Sequence, residues 1–393
     1  MNNLPENYKH LLYLLSNSLF KTQLSDFHFA NILPEAAKQT IFPLIYTALY
    51  GECDLSAYTT QYYSAISHNV KVIEEHKTLH KLLCENNIPY VFLKGCASAR
   101  YYPEPLLRTM GDVDLLVNEK DIEKTVCLLD DNDYRTTDDF NGIHIEFKSK
   151  NNLTIELHRQ INGIPNGKVG QKVSSLFSNI FEKAVLVNDE YLCPSDFHHG
   201  LILLLHTASH LTNEGIGLRH LCDWAVFISK FSNEEFLRLF EKPLKEIGLW
   251  EFAVILSATS VKYLNCPKKS CINHCDNNII DGVIEDIFSG GNFGKKDYSR
   301  YQQIKYISNR DKKTVNSSHP IAQVLKNISS KAQSEIEFVK KCPFLLPLGC
   351  VIILFKYFCL VATKKRKLDN KKVLFDAKKR KNLYDCFNLF ETS

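Results

Sequence analysis

The run Asp112-Val-Asp-Leu-Leu-Val117 constrains the fold of this chain more than any other stretch, because it sets two carboxylates into an otherwise apolar segment. In a β-strand successive side chains alternate faces, so Asp112 and Asp114 point one way while Val113, Leu115 and Val117 point the other. One face of such a strand belongs to a core and the other to a polar cavity. Two acidic groups held side by side repel each other unless a cation lies between them. An exposed turn is the alternative setting for Asp-x-Asp, and the unbroken Leu115-Leu-Val117 that follows argues against it. Upstream lies Val91-Phe-Leu-Lys-Gly-Cys-Ala-Ser-Ala-Arg100, where Gly95 is placed to turn the chain from a strand into a short helix.

The hydrophobic period changes along the chain. Leu11, Leu12, Leu14, Leu15 and Leu19 have helical spacing, and a long helical pattern runs from Tyr58 to Asn86, where Val70, Ile73, Leu79, Leu82 and Leu83 recur at three- and four-residue intervals. Pro89–Leu93 then reads as a strand, Gly95 to Tyr102 as a turn and short helix, and Asp112–Val117 as a second strand. Asp121–Asp131 is helical. His144–Lys148 and Leu153–His158 alternate as two further strands around an Asn151-Asn152 turn. Helical spacing returns over Asp196–Leu211, Leu218–Ser229, Glu234–Ile247 and Trp250–Leu264. There is no internal repeat. The pattern predicts an α+β protein with a small mixed β-sheet core at 58–190, an N-terminal helical cap at 1–57 and a helical domain at 191–288 closing over the sheet. A polar linker at 289–319 and C-terminal helices at 320–393 complete the expected layout.

With 48 Lys+Arg against 44 Asp+Glu, the 393-residue chain has no charge excess of the kind that coats nucleic acid, and no nucleic-acid partner is expected. The basic residues do concentrate between Lys364 and Lys381, which hold ten Lys/Arg against two Asp. Thirteen cysteines scattered among apolar segments, and an N-terminus without a signal-like apolar core, fit a reducing cytoplasm. Cys266, Cys271, His274 and Cys275 offer zinc-ligand chemistry at a spacing that matches no common zinc module, so a loop of buried or idle thiols stands against a zinc site. Phe344–Thr363 is nearly all apolar, interrupted by Pro347, Gly349 and Lys356, with basic residues directly after it. A buried helix, a helix lying on an anionic membrane and a true span all fit it, and peripheral membrane contact through 344–381 is the most that is expected.

Phosphoryl and nucleotidyl transfer ask for metal ions, positioning and charge neutralisation, and these residues supply such parts. Asp112 and Asp114 suit Mg²⁺ through hard oxygen ligands, with Mn²⁺ as the alternative. Gly95 lets the backbone approach a phosphate, the N–H groups of Cys96, Ala97 and Ser98 would face it, and Lys94 adds a mobile charge unless its strand position turns it away. Glu156, flanked by Ile155 and Leu157, is the expected third carboxylate, because an unpaired charge in an apolar strand is costly. Glu146 is the reserve choice. His158, on the same face as Glu156, could orient a phosphate or accept a proton. Among the helices, His206 with His210 and Arg219 with Asp223 are pairs four residues apart, read either as a buried polar network or as nucleotide or acceptor contacts, with Arg219 the leading phosphate ligand.

Taken in order, Leu93-Lys-Gly95, Tyr102-Pro103, Arg108, Asp112-Val-Asp114-Leu-Leu-Val and Ile155-Glu-Leu-His158 resemble the uncharacterised bacterial nucleotidyltransferase family of the DNA polymerase β-like superfamily. The likeness continues in His206-x3-His210 and Leu218-Arg-His-Leu-Cys-Asp-Trp-Ala225 and spans roughly residues 40–265. It implies a nucleotidyltransferase core with metal at Asp112, Asp114 and Glu156, phosphate contacts around Gly95, and Arg108 among the nucleotide contacts. The implied partners are an NTP, ATP foremost, and an acceptor that is a sugar, a natural product, a lipid-linked glycan, a peptide or a protein. Two features depart from the wider superfamily. Cys96 stands where Gly or Ser usually follows the glycine, and the gap from Gly95 to Asp112 is longer than in the short antibiotic-modifying members.

Other classes use Asp-x-Asp. Nucleotide-sugar glycosyltransferases place a nucleotide-binding α/β unit of over a hundred residues before the motif, where this chain is mostly helical. Haloacid-dehalogenase phosphatases follow theirs with a loop, unlike Asp114-Leu-Leu-Val117. A catalytically silent nucleotide-binding or scaffold protein of a biosynthetic assembly is the non-enzyme alternative.

Overall fold

The computed structural model describes residues 4–22, 32–137, 144–294, 296, 300, 343–353 and 370–392. Met1–Tyr301 with Arg380–Ser393 make one compact unit and Gln302–Lys379 a second. The first unit opens with helices α1 (Glu6–Phe20), α2 (Ile32–Lys38) and α3 (Phe42–Ala48), then the 27-residue α4 (Thr59–Glu85). Strand β1 (Tyr90–Phe92), the short α5 (Cys96–Ala99), β2 (Val113–Val117), α6 (Ile122–Asp131), β3 (Arg135–Thr136), β4 (His144–Lys148) and β5 (Thr154–His158) follow. After them come α7 (Gly167–Leu176) and a hairpin of β6 (Val185–Val187) and β7 (Tyr191–Cys193). The helical layer consists of α8 (Asp196–Asn213), α9 (Leu218–Ser229), α10 (Asn233–Glu246), α11 (Trp250–Leu264) and α12 (Asn277–Gly290). A last helix, α13, covers Asn370–Asp385.

The five-stranded sheet has the order β1-β2-β5-β4-β3. Only the β2–β5 pair is parallel; β1–β2, β5–β4 and β4–β3 run antiparallel, so the fold is α+β with a mixed sheet. Pairing sets Asp114 opposite Glu156 and Glu156 opposite Glu146, while His158 lies opposite His144. Directly paired residues share a face, so these five side chains rise from one side of the sheet. The other side carries Val113, Leu115, Val117, Phe147, Ile155 and Leu157, each at most 1% exposed, packed with Val72, Leu79 and Leu83 of α4 and Leu129 of α6. Burying one such side chain stabilises the fold by about 1.5–3 kcal/mol, which locks the strand register and with it the position of every carboxylate on the opposite face.

Helix α4 shows where the hydrophobic pattern misleads. Val70 is 42% exposed and the neighbouring Asn69 is buried in its place. The asparagine is worth burying because three hydrogen bonds use it. Its amide donates to the carbonyls of Leu106 at 2.7 Å and Arg108 at 2.9 Å, and its Oδ1 accepts from the Met110 N–H at 3.1 Å. Helix α5 is shorter than the Gly95-to-Tyr102 reading, with turns carrying the chain onward from Arg100. The strand β3 and the β6–β7 hairpin are too short to show a period; α7 and α12 are absent from the sequence reading although α12 carries Ile280, Val283, Ile284 and Ile287 at helical spacing. The cap, the sheet and the helices through α12 all belong to the first compact unit.

Of the proposed linker at 289–319, only 289–294, 296 and 300 are described, and of the apolar segment 344–363 only 344–353. Phe344, Leu348 and Val351 are exposed there. Among the described residues no helix is long and apolar enough to cross a membrane.

Candidate active site

The cleft is built outward from two turns. At the first, Gly95 has φ 56° and ψ −109°, a backbone state that costs an L side chain heavily, while a Cβ there would meet nothing closer than 3.7 Å. The constraint is conformational rather than spatial. This turn ends β1 and aims Lys94 at β2, so that Lys94 Nζ lies 2.7 Å from Asp114 Oδ1. At the second turn, the Asn69 hydrogen bonds hold the loop at 106–110, and Asp112 follows it directly into β2.

On β2 and β5 the carboxylates converge. Asp112, Asp114 and Glu156 each offer an oxygen, and the three oxygens lie within 4.8 Å of one another. His158 Nε2 sits 3.0 Å from Asp114 Oδ1 and 3.3 Å from Glu156 Oε2. The crowding shows in the acidities. Repulsion from Asp114, with burial second, pushes the Asp112 carboxyl up to about 6. Burial works to raise Asp114 as well, but Lys94 and His158 outweigh it and hold that carboxyl well below the usual range. For Glu156 burial is likewise overcome by His158, and its acidity increases. His158 is desolvated, yet the two carboxylates keep its imidazole more basic than usual. Glu146 turns to Lys148, whose Nζ is 3.5 Å away, and stays outside the carboxylate group.

A cavity of about 330 Å³ opens above this floor. Lys94, Gly95, Ser98, Arg108, Asp112, Asp114, Glu156, Arg219 and Asp223 all line it. Helices α8 and α9 form the facing wall, where the rings of His206 and His210 are 4.4 Å apart and those of His206 and His220 stack at 5.5 Å. Burial pushes His206 and His220 well below their ordinary pKa, so both are neutral. Phe293 closes the wall, with its ring 4.7 Å from His210 and 5.8 Å from the Arg219 guanidinium. Gly163, after β5, has φ 85° and passes so close to α8 that a Cβ would lie 2.7 Å from the Leu205 carbonyl oxygen.

Several expected contacts are arranged differently. Arg108 donates from Nε and Nη2 to the two oxygens of Asp223, each at 2.7 Å, and Tyr102 donates to Oδ1 of the same carboxylate at 2.7 Å. This buried network ties α9 to the loop before β2, and it spends most of the Arg108 fork on the protein. Arg219 is less engaged: Nη1 donates to the Thr109 carbonyl at 3.3 Å and Nε is buried without a hydrogen-bond partner. The N–H groups of Ala97 and Ser98 are taken up by the carbonyls of Lys94 at 3.0 Å and Gly95 at 3.2 Å, because so short a helix closes its own first turn. Cys96 and Ala97 point into the core, where Cys96 Sγ lies 3.5 Å from His76 Nδ1. His158 is fully buried and gives Nε2 to the carboxylates.

Sequence reasoning passed over Asn69, His144, Asn162, Gly163, His220 and Phe293. Two of them had a signal: His144 alternates with Glu146 as His158 does with Glu156, and His220 falls inside the Leu218–Ala225 motif. Cys266 Sγ is turned to the Ala225 carbonyl at 3.3 Å, and among the described residues the 266–275 segment does not gather ligand atoms as the sheet does.

No curated protein matches the chain. Among solved structures, the crystal structure of an antigenic nucleotidyltransferase-like protein from Paracoccidioides brasiliensis is similar over 52% of this chain and 97% of that chain, with 16% identity and a TM-score of 0.34. The family model for uncharacterised nucleotidyltransferases matches residues 25–265, the span that holds both turns, all five strands of the sheet and both helices of the facing wall, and the chain belongs to that family.

Proposed function

We propose that this protein is a Mg²⁺-dependent nucleotidyltransferase that moves an NMP group from an NTP, ATP foremost, to a hydroxyl of an acceptor and releases pyrophosphate. The supporting observation is the convergence of Asp112, Asp114 and Glu156 on the floor of a cleft whose other wall holds Arg219. An all-oxygen set of mutually repelling carboxylates fits a hard divalent cation, and the raised Asp112 carboxyl is what such a pair shows without one. Mg²⁺ held by these three residues would offset the negative charge of the triphosphate.

The chain's own groups account for the remainder of the chemistry. Gly95 lets the backbone come close to the phosphates, and Arg219 offers its guanidinium to them from the facing wall. Lys94 Nζ is within reach of both Asp114 and the same phosphates. His158 holds the Asp114 and Glu156 carboxylates in orientation, in the way an outer hydrogen bond orients a ligand. The acceptor hydroxyl attacks the α-phosphorus in line, its proton passes to Glu156, and the bond to the pyrophosphate oxygen breaks.

The test is to incubate the purified protein with each labelled NTP, Mg²⁺ and acceptors of each class, and to measure pyrophosphate release and label transfer. Asp114→Asn is expected to abolish both while the protein stays folded. Absence of turnover with every NTP, together with absence of Mg²⁺-dependent nucleotide binding, overturns the reading.

A further inference from the structure

The sheet face that carries the three carboxylates continues into β4 with a different donor chemistry. His144, Glu156 and His158 form a second group whose ligand atoms lie within 4.8 Å of one another. His144 Nε2 is 3.7 Å from Glu156 Oε1, and His158 Nε2 is 3.3 Å from Glu156 Oε2. Donor atoms on a single ion at about 2.1 Å lie about 3.0 Å apart at octahedral right angles and about 3.4 Å apart in a tetrahedron. The observed separations, 3.3 and 3.7 Å to the two Glu156 oxygens, lie on either side of the tetrahedral value and above the octahedral one, before any ion has drawn the ligands together.

We infer that His144, Glu156 and His158 form a site for a divalent transition metal, of the Zn²⁺ or Co²⁺ class, beside the all-oxygen site and sharing Glu156 with it. The two sites differ in the ions they prefer. Imidazole nitrogens suit Zn²⁺ and its neighbours far better than Mg²⁺, which takes oxygen ligands and sheds water reluctantly. The strand register builds the pair: His144 faces His158 across β4 and β5, and Glu156 sits two residues earlier on the same side. Rigid strands hold such ligands more closely than loops do. The ion would take the place of the proton that His158 Nε2 shares with Asp114 and Glu156, so that with this ion bound Glu156 is oriented by shared ligation rather than by the His158 hydrogen bond, and Asp114 is held by Lys94. The competing arrangement is a permanent imidazolium at His158 that donates to both carboxylates and leaves no room for a metal.

This inference extends the Mg²⁺ reading by a second ion, and it is tested without nucleotide so that a failure of transfer activity leaves it standing. The full-length protein is stripped with EDTA, equilibrated with Co²⁺ in the presence of millimolar Mg²⁺, and dialysed; bound Co²⁺ is counted and its visible spectrum recorded. One Co²⁺ per chain is expected, with no thiolate-to-metal band. His144→Ala and the bulkier His144→Gln are expected to weaken it by about tenfold or more, while Asp112→Asn retains it. Displacement of Co²⁺ by Mg²⁺, no Co²⁺ binding, binding indifferent to both His144 variants, or a thiolate spectrum that puts the ion on the cysteines of 266–275 would each overturn the assignment.

Discussion

Replacing Asp112 by Asn separates the demands of stability from those of the proposed Mg²⁺ site. The carboxyl of Asp112 rises from an ordinary 3.8 to about 6, first because of the Asp114 charge and then because of burial. A carboxyl that holds its proton more tightly folded than unfolded contributes full stability only while protonated. That contribution is present below pH 3.8 and is lost as pH rises through about 6. About two pH units at about 1.4 kcal/mol each give a cost of about 3 kcal/mol by pH 8, and desolvation of the Asn amide reduces the recoverable part to about 1–3 kcal/mol. Urea unfolding in EDTA should find Asp112→Asn more stable than the native protein by that amount at pH 8, with the difference shrinking toward zero near pH 4. Mg²⁺ at a hundred times its dissociation constant should stabilise the native protein by about 2.7 kcal/mol and the variant by little, reversing their order. If the variant is no more stable than the native protein in EDTA at pH 8, the two carboxylates do not repel as described. An undiminished Mg²⁺ response would remove Asp112 from the metal site.

Asp223→Ala leaves Arg108 buried beside an empty position and should cost about 3–5 kcal/mol, while the double variant Asp223→Leu with Arg108→Met should recover most of it; equal losses in urea melts would show the pair is not coupled. Asn69→Ala removes three hydrogen bonds to the loop before β2 and should cost about 2–3 kcal/mol, with Mg²⁺-dependent nucleotide binding weakened as that loop loosens. Thermal unfolding together with nucleotide titration checks both halves, and unchanged nucleotide binding would mean the loop does not control Asp112. Gly163→Ala forces a side chain onto φ 85° against the Leu205 carbonyl, so a loss of about 2 kcal/mol or more is expected in the same assay. A loss below about 0.5 kcal/mol would show that the loop relaxes freely away from α8.

Much of the floor of the site could be read from alternation. Apolar and polar residues take turns in Asp112–Leu115 and in Leu153–His158, so whichever strands these became, Asp112 and Asp114 had to share a face, as did Glu156 and His158. Period alone located the long α4 and the helices from α8 to α11. It failed at Val70 and Asn69, because a buried amide with three partners displaces an exposed valine from the core side, and a hydropathy pattern has no means of seeing the partners.

The local sequence thus determined which side chains are co-facial, where the glycine turn falls and that two carboxylates, Asp112 and Asp114, crowd one face. It did not determine that β2 lies parallel to β5, which sets Asp114 directly opposite Glu156, 42 positions further along the chain. Nor did it determine that Lys94 reaches Asp114, that Arg108 is taken by Asp223, or that His144 completes a nitrogen-bearing group beside the carboxylates. Those are matters of strand order and helix packing, chosen by the burial of Val113, Leu115, Phe147, Ile155 and Leu157 on the far side of the sheet. Alternation is a property of the backbone and acts within a strand, whereas the meeting of strands is decided by the whole core at once.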